Sequence, residues 1–310
     1  MIQEHAGSLT FKIRDASSYD SVTNEFDLFT DRLSQPLAVQ LVSLAQLAPS
    51  DRVLDVGTGT GVVSLQAAQR VRPSGKVVGI DLSEAMLTVA KTKAAQTGLT
   101  NYVEFSKMDA EALELENQSF DVVLSLFALL HFPNPLLALK EMFRVLRPGG
   151  RLVLAVGSGP PLFSLKGLIQ GFKHLQEIRL KQQGKLLTAP HFLNSLVEKH
   201  FPQPHEVEES SLARHSSNRT GSIAPLVRQA GFVSVQTYWQ GHPAVVKAPE
   251  EFWDMQRTFS SIARKRLSKA TPERAEALRE EFLQTCRRVQ ANGGQLIYPF
   301  AAFYVAARRP

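Results

Sequence analysis

The chain contains little cysteine and no long apolar run. Its single cysteine, Cys286, excludes an internal disulfide and a cysteine-cluster metal site. No hydrophobic stretch approaches the ~20 residues of a membrane-spanning helix, and residues 1–5 lack the apolar centre of a signal peptide. We therefore expect a cytoplasmic globular protein with no membrane span and no metal site.

The net charge of +6 is spread unevenly over the 310 residues. Residues 1–157 hold 14 Lys/Arg and 17 Asp/Glu, a net of −3, whereas residues 158–310 hold 21 and 12, a net of +9. A basic half can indicate a nucleic acid partner. Here acidic residues lie among the basic ones, and aromatic and basic residues do not alternate as they do in single-strand platforms. The pattern favours a solvated helical surface, and we expect no nucleic acid partner.

Three glycines at alternate positions follow a short apolar run at residues 53–56. A helical pattern begins at Val62, so that strand, glycine turn and helix succeed one another, as at the start of a nucleotide-binding crevice. A dinucleotide fingerprint would need Gly or Ala where Val62 or Ser64 stands, and a phosphate-binding loop would need a lysine after the glycines. A glycine-rich turn without any ligand is the alternative interpretation.

Acidic residues end the next two predicted strands. Asp81 follows residues 76–80 at ~20 residues beyond the glycines, where a carboxylate can accept hydrogen bonds from ribose hydroxyls. Asp109 follows the third predicted strand at residues 103–108. Ser83 is a predicted N-cap of the helix after the second strand. Further strands are predicted at residues 119–125 and 151–156.

Four segments in this order resemble the class I S-adenosylmethionine-dependent methyltransferases, most closely the ubiquinone/menaquinone-biosynthesis type. They are residues 55–61 (Asp-Val-Gly-Thr-Gly-Thr-Gly), residues 79–83 (Gly-Ile-Asp-Leu-Ser), residues 108–111 (Met-Asp-Ala-Glu) and residues 146–150 (Leu-Arg-Pro-Gly-Gly). The resemblance implies an α/β fold with a Rossmann-like, mostly parallel sheet of seven strands, helices on both faces and an inserted helical cap. It also implies S-adenosylmethionine as the cofactor.

The resemblance assigns cofactor contacts residue by residue. Asp81 would accept from both ribose hydroxyls and Asp109 from the adenine amine, while Tyr19 in the N-terminal helices would line the methionine end. For Tyr19, simple packing onto the sheet is an equal alternative. The cofactor-binding set that we expect is Tyr19, Asp55, Gly57, Thr58, Gly59, Asp81, Leu82, Asp109, Ala110 and Ser125.

The division of the chain follows from these landmarks and from Pro/Gly breaks. We expect an N-terminal helical lid at residues 1–49. The cofactor-binding core would comprise residues 50–157, 220–247 and 292–310, and helical cap insertions over the substrate pocket would comprise residues 158–219 and 248–291.

Methyl transfer to a hydroxyl or an acidic carbon calls for a base, and His131, just past the fourth strand, is the candidate. Packing against the following helix is an equally good explanation for this histidine, and His242 is the second choice. Five aromatic residues could wall a pocket, although residues at such spacings are more often core: Tyr238, Trp239, Trp253, Tyr298 and Phe300.

The sequence therefore predicts a methyltransferase that acts on an oxygen, carbon or nitrogen of a small aromatic or apolar metabolite by in-line displacement. Two alternatives stay open: an RNA or protein methyltransferase, and a cofactor-binding protein without catalysis. We expect a monomer or a homodimer.

Overall fold

The computed structural model describes residues 2–157, 176–202 and 219–310, with the side chains of residues 2–10, 219–222 and 242 outside the description. The helices are α1 (Ile2–Asp20), α2 (Thr23–Phe29), α3 (Gln35–Ala45), α4 (Val62–Val71), α5 (Glu84–Gln96), α6 (Pro135–Val145), α7 (His191–His200), α8 (Arg219–Gln229), α9 (Pro249–Phe259), α10 (Ser261–Leu267) and α11 (Pro272–Ala291). The strands are β1 (Arg52–Val56), β2 (Lys76–Asp81), β3 (Val103–Lys107), β4 (Phe120–Leu126), β5 (Leu146–Gly157), β6 (Leu186–Thr188), β7 (Val233–Val246) and β8 (Gln295–Arg308).

The first five strands form a parallel sheet in the order β3-β2-β1-β4-β5. The chain runs outward from β1 to β3 and then returns to pair β4 on the other side of β1. This reversal opens a crevice at the carboxyl ends of β1 and β4, which is where α/β sheets bind ligands. The residues after β1, β2 and β4 therefore meet at one edge of the sheet.

Strand β8 closes the sheet in the opposite direction. It lies antiparallel to β5 and to β7, between these two strands. The Tyr304 side chain of β8 is fully buried, and its hydroxyl donates a hydrogen bond to the Leu37 carbonyl in α3 at 3.1 Å. Five of the seven strand pairings among the described residues are parallel, and only the pairings of β8 with β5 and β7 are antiparallel. The prediction of a mostly parallel α/β sheet is therefore confirmed.

The predicted number of strands is wrong, because the described residues form eight strands and not seven. The additional strand is β6, which pairs parallel with Gln295–Ile297 at the start of β8. Only Ala302–Arg308 of β8 pair with β5, so the start of β8 has an open edge that β6 occupies. Strand β6 lies within residues 158–219, where we expected a helical cap insertion, and three residues are too short to show a strand period in the sequence. The rest of that insertion, at residues 158–175 and 203–218, lies outside the described residues.

Helices cover both faces of the sheet, as predicted. One hydrophobic cluster packs α3, α4, α7, α9 and α11 on one face, and a second cluster packs α6 and α8 on the other. Leu37 and Leu41 of α3 and Leu139 and Met142 of α6 are fully buried at these two interfaces. Burial of such side chains supplies about 1.5–3 kcal/mol each toward the folded state.

The N-terminal helices cross the carboxyl edge of the sheet. Helix α1 ends at Asp20, α2 begins at Thr23, and α2 continues into a π-helical turn at Thr30–Ser34. A π-turn widens the spacing of side chains and is common at functional sites. Among the described residues, no helix combines the length and the apolar character that crossing a membrane would need.

Candidate functional site

The glycine turn after β1 brings two loops of the crevice into contact. Gly57, Gly59 and Gly61 all have positive φ angles, of 72°, 54° and 86°. A Cβ on Gly57 would stand 2.2 Å from the Ala128 Cβ in the loop after β4, so only glycine fits there. The Gly57 and Thr58 amides both donate to the Ile80 carbonyl at 2.9 Å and fix the turn against β2.

Asp81 at the end of β2 is held by backbone donors. Its Oδ2 accepts from the Gly59 amide at 2.9 Å and its Oδ1 accepts from the Ser83 amide at 3.0 Å. Burial raises the pKa of the Asp81 carboxyl, and the backbone hydrogen bonds oppose that shift. The Ser83 side chain accepts from the Met86 amide, which confirms it as the N-cap of α5.

Asp55 lies beneath the turn and is almost completely buried. Its Oδ2 accepts from the Ser64 hydroxyl at 2.8 Å, and that hydroxyl is also 2.8 Å from the Thr58 hydroxyl. Its Oδ1 has no hydrogen-bond partner, and burial raises the pKa of the carboxyl to about 6. Nearby, the Ser125 hydroxyl donates to the Val56 carbonyl at 2.9 Å. Asp55 and Ser125 support the turn from below and do not line the cavity described next.

A cavity of about 1210 Å³ lies above the carboxyl ends of the strands. Its polar end is formed by the glycine turn, the β2 and β3 ends and helix α1. Its other part is apolar and is walled by side chains from α2, α9, β7 and β8. Of the expected cofactor set, the residues that line the cavity are Tyr19, Gly57, Thr58, Gly59, Asp81, Leu82, Asp109 and Ala110.

Asp109 lines this cavity but is engaged by the N-terminal helix. The Lys12 ammonium of α1 contacts the Asp109 carboxylate at 2.7 Å and the Glu111 carboxylate at 2.6 Å. The Asp109 Oδ1 also accepts from the Glu111 amide at 2.9 Å. These contacts hold helix α1 over the β3 end of the cavity. A second contact of α1 lies at Asp20, which accepts a hydrogen bond from the Ser83 hydroxyl at 2.7 Å.

His131 lies in a 3₁₀ turn after β4 and is contacted by two residues of α1. Its Nδ1 is 2.7 Å from the Asp15 Oδ2, and its Nε2 is 3.3 Å from the Tyr19 hydroxyl. All three side chains line the cavity. Although burial works in the other direction, the His131 and Lys265 partners hold the pKa of the Asp15 carboxyl well below its usual range.

Helix α10 of the cap completes this arrangement with two consecutive cations. The Lys265 ammonium is 2.7 Å from the Asp15 Oδ1. The Arg264 guanidinium lies 3.7 Å from the centroid of the Tyr19 ring and is 4 % exposed. No sequence pattern identifies Lys12, Asp15, Arg264 or Lys265 as site residues, because their partners are far away along the chain.

The aromatic residues that were considered for a pocket wall divide into two groups. Trp239, Tyr298 and Phe300 line the cavity. Tyr238 is 40 % exposed, and Trp253 is buried against Phe282 with ring centroids 5.2 Å apart. Phe259 of α9 is a further wall residue that the sequence did not indicate; its ring contacts Phe26, Tyr298 and Phe300 at 5.4–5.8 Å. The side chain of His242 lies outside the described part of the structure.

Comparison with known proteins agrees with this geometry. The family model described as a methyltransferase domain matches residues 47–208. The chain is 37 % identical over 194 residues to the demethylmenaquinone methyltransferase of Lactococcus lactis, an alignment that covers 62 % of this chain and 70 % of that protein. It is 31 % identical over 247 residues to the ubiquinone/menaquinone biosynthesis C-methyltransferase UbiE of Xanthomonas oryzae, covering 71 % and 95 %. The fold is similar to that of the Bacillus subtilis YcgJ protein, with a TM-score of 0.52, 20 % identity and coverage of 88 % and 97 %.

The strand order, the glycine turn and the acidic strand ends define a class I S-adenosylmethionine-dependent methyltransferase. More narrowly, the chain belongs to the UbiE-type family of methyltransferases.

The residues present fit S-adenosylmethionine. That molecule presents donors, namely the ribose hydroxyls, the adenine amine and the ammonium group, and the polar end of the cavity presents the carboxylates of Asp81 and Asp109. Gly59 has no side chain and borders open space in the cavity, since the atom nearest to an added Cβ is a Phe26 ring carbon at 3.7 Å. The rings of Tyr19 and Phe26 line the same region and suit a sulfonium cation.

Proposed function

We propose that this enzyme methylates a ring position of a small aromatic acceptor of the quinol type. The observation that carries the proposal is the divided cavity, in which a polar cofactor end continues into an apolar, aromatic-walled end beside His131. At about 1210 Å³ the cavity is larger than most single-ligand pockets, which span about 300–1,000 Å³. The names of the relatives, which refer to demethylmenaquinone and to C-methylation in quinone biosynthesis, support a quinol ring as the acceptor.

The cofactor-binding roles follow from the placement of each side chain. Asp81 would accept hydrogen bonds from the ribose hydroxyls and Asp109 from the adenine amine. Gly57 and Gly59, which have no side chains, would let the backbone of the turn approach the cofactor. Asp55 would act from beneath, by fixing Thr58 through the Ser64 hydroxyl. When bound, S-adenosylmethionine supplies an electrophilic methyl group that is transferred by in-line displacement.

In this proposal His131 acts as the base that removes a proton from the acceptor. Asp15 accepts a hydrogen bond from Nδ1, so the neutral ring carries its proton there, and its electron pair at Nε2 accepts a hydrogen bond from the Tyr19 hydroxyl. The Nε2 atom can take a proton from a ring hydroxyl of the acceptor, either directly or through the Tyr19 hydroxyl beside it. The deprotonated ring is then electron-rich at carbon. The aromatic wall would orient it toward the methyl group. Once a ring carbon has gained the methyl group, that carbon loses its hydrogen as a proton and the ring oxygen takes a proton back from His131, so the net proton lost is the one from the ring carbon.

The cationic side chains of the cap support a small-molecule acceptor over RNA. Several of them are paired with acidic residues within the protein: Arg287 with Glu250, Lys199 with Glu281, and Arg257 with Glu25. Pairing of this kind lowers the positive potential that a phosphate backbone would need. A cytoplasmic location and a monomeric or homodimeric state stay predictions.

Replacement of the proposed base tests this function. The probe is 2-prenyl-1,4-naphthalenediol, and the measured quantity is the rate of S-adenosylhomocysteine release. We expect His131→Ala to lower kcat by about 10²–10⁴-fold, the contribution of a positioned base. Calorimetric titration should show that the affinity for S-adenosylmethionine stays within about threefold of wild type, because the acidic residues at the polar end are retained.

His200→Ala provides the matched control. His200 pairs with Glu281 on the surface of the cap, at 2.6 Å, so its loss removes a histidine–carboxylate contact away from the cavity. Its rate should equal that of wild type. An unaltered rate in His131→Ala would remove the base role, and no turnover of the diol by the wild-type enzyme would remove the quinol acceptor.

A further inference from the structure

Asp15 lies between two nitrogen-bearing side chains, the His131 ring and the Lys265 ammonium, which come from different parts of the chain. One carboxylate oxygen is 2.7 Å from His131 Nδ1, and the other is 2.7 Å from the Lys265 ammonium. The Asp15 side chain is 7 % exposed, so little water competes for these contacts. A buried carboxylate that is paired with a lysine ammonium stays ionised. An ionised carboxylate can accept hydrogen bonds but cannot donate them.

Tyr19, whose hydroxyl contacts His131 Nε2, is also held in place by a cation of helix α10. The Arg264 guanidinium stacks on the face of the Tyr19 ring at 3.7 Å. Its own position is fixed by Nε, which donates to the Ser18 hydroxyl at 3.3 Å, and by Nη1, which donates to the Thr258 carbonyl. A desolvated guanidinium over the face of a tyrosine ring is attracted to the ring and favours one orientation of it.

We propose that Asp15, supported by Lys265, is a positioning residue that fixes the tautomer and ring orientation of His131, and that Arg264 likewise orients Tyr19. The proposal rests on the base role of His131 given above. It assigns a function to the contact of α1 with the cap helix α10: the proton-accepting nitrogen is correctly oriented only while these two helices lie together.

The tautomer of the ring follows from the chemistry of its two neighbours. An ionised carboxylate at Nδ1 can only accept, so the neutral ring must carry its proton on Nδ1. Nε2 is then an acceptor, and the Tyr19 hydroxyl at 3.3 Å donates to it. If an amide replaced the carboxylate, it could donate to Nδ1 as well as accept from it. The preference between the two tautomers would then largely disappear.

Nitrogen-15 NMR of the histidine rings tests this directly. In the wild-type protein, at a pH at which the ring is neutral, we expect the His131 signals to show the Nδ1–H tautomer almost exclusively. In Asp15→Asn we expect a substantial population of the Nε2–H tautomer. The kcat for 2-prenyl-1,4-naphthalenediol should fall about 10- to 100-fold, whereas the dissociation constant for S-adenosylmethionine should stay within about threefold.

Asp27→Asn is the control, because Asp27 forms an ion pair of similar geometry, at 2.7 Å to Lys93, between α2 and the core. It should leave both the tautomer and the rate unchanged. An Nε2–H tautomer in the wild-type protein would overturn the proposal even if Asp15→Asn did not fold. An unchanged tautomer or an unchanged kcat in a folded Asp15→Asn would also overturn it. These outcomes differ from failure of the base role itself, which His131→Ala reports.

Discussion

At the scale of single residues, the cofactor end of the cavity is organised by carboxylates whose partners are backbone amides. Asp81 accepts from the amides of Gly59 and Ser83, which orients both of its oxygens before any ligand arrives. Preorganised carboxylates lose little freedom on binding a diol, because their geometry is already set. The affinity for the nucleoside should therefore depend strongly on this one side chain.

We expect Asp81→Ala to weaken S-adenosylmethionine binding by about 1.5–3 kcal/mol, the range for hydrogen bonds to a charged group. Calorimetric titration with the cofactor measures this loss. Asp121→Ala is the control: Asp121 is an aspartate near the opposite end of β4 that pairs with Arg147 at 2.7 Å, and its removal should leave the affinity unchanged. Equal affinities for wild type and Asp81→Ala would exclude a ribose contact.

The residues of the cofactor end could be predicted from the sequence because each one directly follows a strand. Glycines and acids at strand ends leave a local pattern, so Gly57, Gly59, Asp81 and Asp109 were predicted and all line the cavity. Asp15 could not be predicted in this way. It acquires its place only when α1 crosses the sheet edge, more than 100 residues away along the chain from His131.

At the scale of elements, the apolar end of the cavity depends on the cap and on the last strand. Helix α9 supplies Phe259, and β8 supplies Tyr298 and Phe300, whose rings stack with centroids 4.8 Å apart. All three residues lie beyond residue 208, where the match to the methyltransferase family model ends. The part of the chain that shapes the proposed acceptor site therefore lies outside the match to the family model.

Phe259→Leu should raise the KM for 2-prenyl-1,4-naphthalenediol about 2- to 10-fold. Leucine keeps most of the apolar volume of phenylalanine but has no ring to contact Phe26, Tyr298 and Phe300. Each such aromatic pair contributes about 0.5–1.5 kcal/mol. The affinity for the cofactor should not change.

Phe192→Leu is the control for this substitution, because Phe192 packs on Phe282 within the cap at 5.0 Å and does not line the cavity. Steady-state kinetics with varied acceptor should show wild-type KM for this variant. If both variants raised KM equally, the effect would come from loosening of the cap and not from the wall.

Elements with a clear period were predictable, and short or irregular ones were not. The parallel strands appear in the sequence as apolar runs that end in glycine or acid. Strand β6 has only three residues and forms because β8 is longer than its pairing with β5. The break between α1 and α2 and the π-turn after α2 likewise depend on packing across the sheet edge, since residues 17–31 have the spacing of one continuous helix.

At the scale of the whole molecule, stability should depend on pH through two buried carboxylates with opposite shifts. The pKa of Asp55 is raised to about 6 from 3.8, so the folded state holds this proton more tightly than the unfolded state does. Its contribution is present below pH ~4 and is lost as the pH rises through about 6. The pKa of Asp15 is lowered, so its contribution is present above pH ~4 and is lost on further acidification.

The Asp55→Asn variant isolates the first of these contributions. Between pH 4 and pH 7 the unfolding free energy of the variant should rise relative to that of wild type by up to about 3 kcal/mol, since each unit of pKa shift corresponds to 1.36 kcal/mol. Urea denaturation at a series of pH values measures the difference. A difference that stayed constant over this range would show that burial does not raise the pKa of Asp55.

The position of β8 between β5 and β7 has a consequence for how the protein is made. The first five strands leave the ribosome long before β8 does, and among the described strands only β8 pairs with the outer edge of β5. An unpaired, apolar strand edge is prone to join other chains. The growing chain therefore passes through a stage in which the glycine turn and the acidic strand ends can already meet while the edge of β5 is still open, and pairing of β8 with β5 is the step that covers this edge.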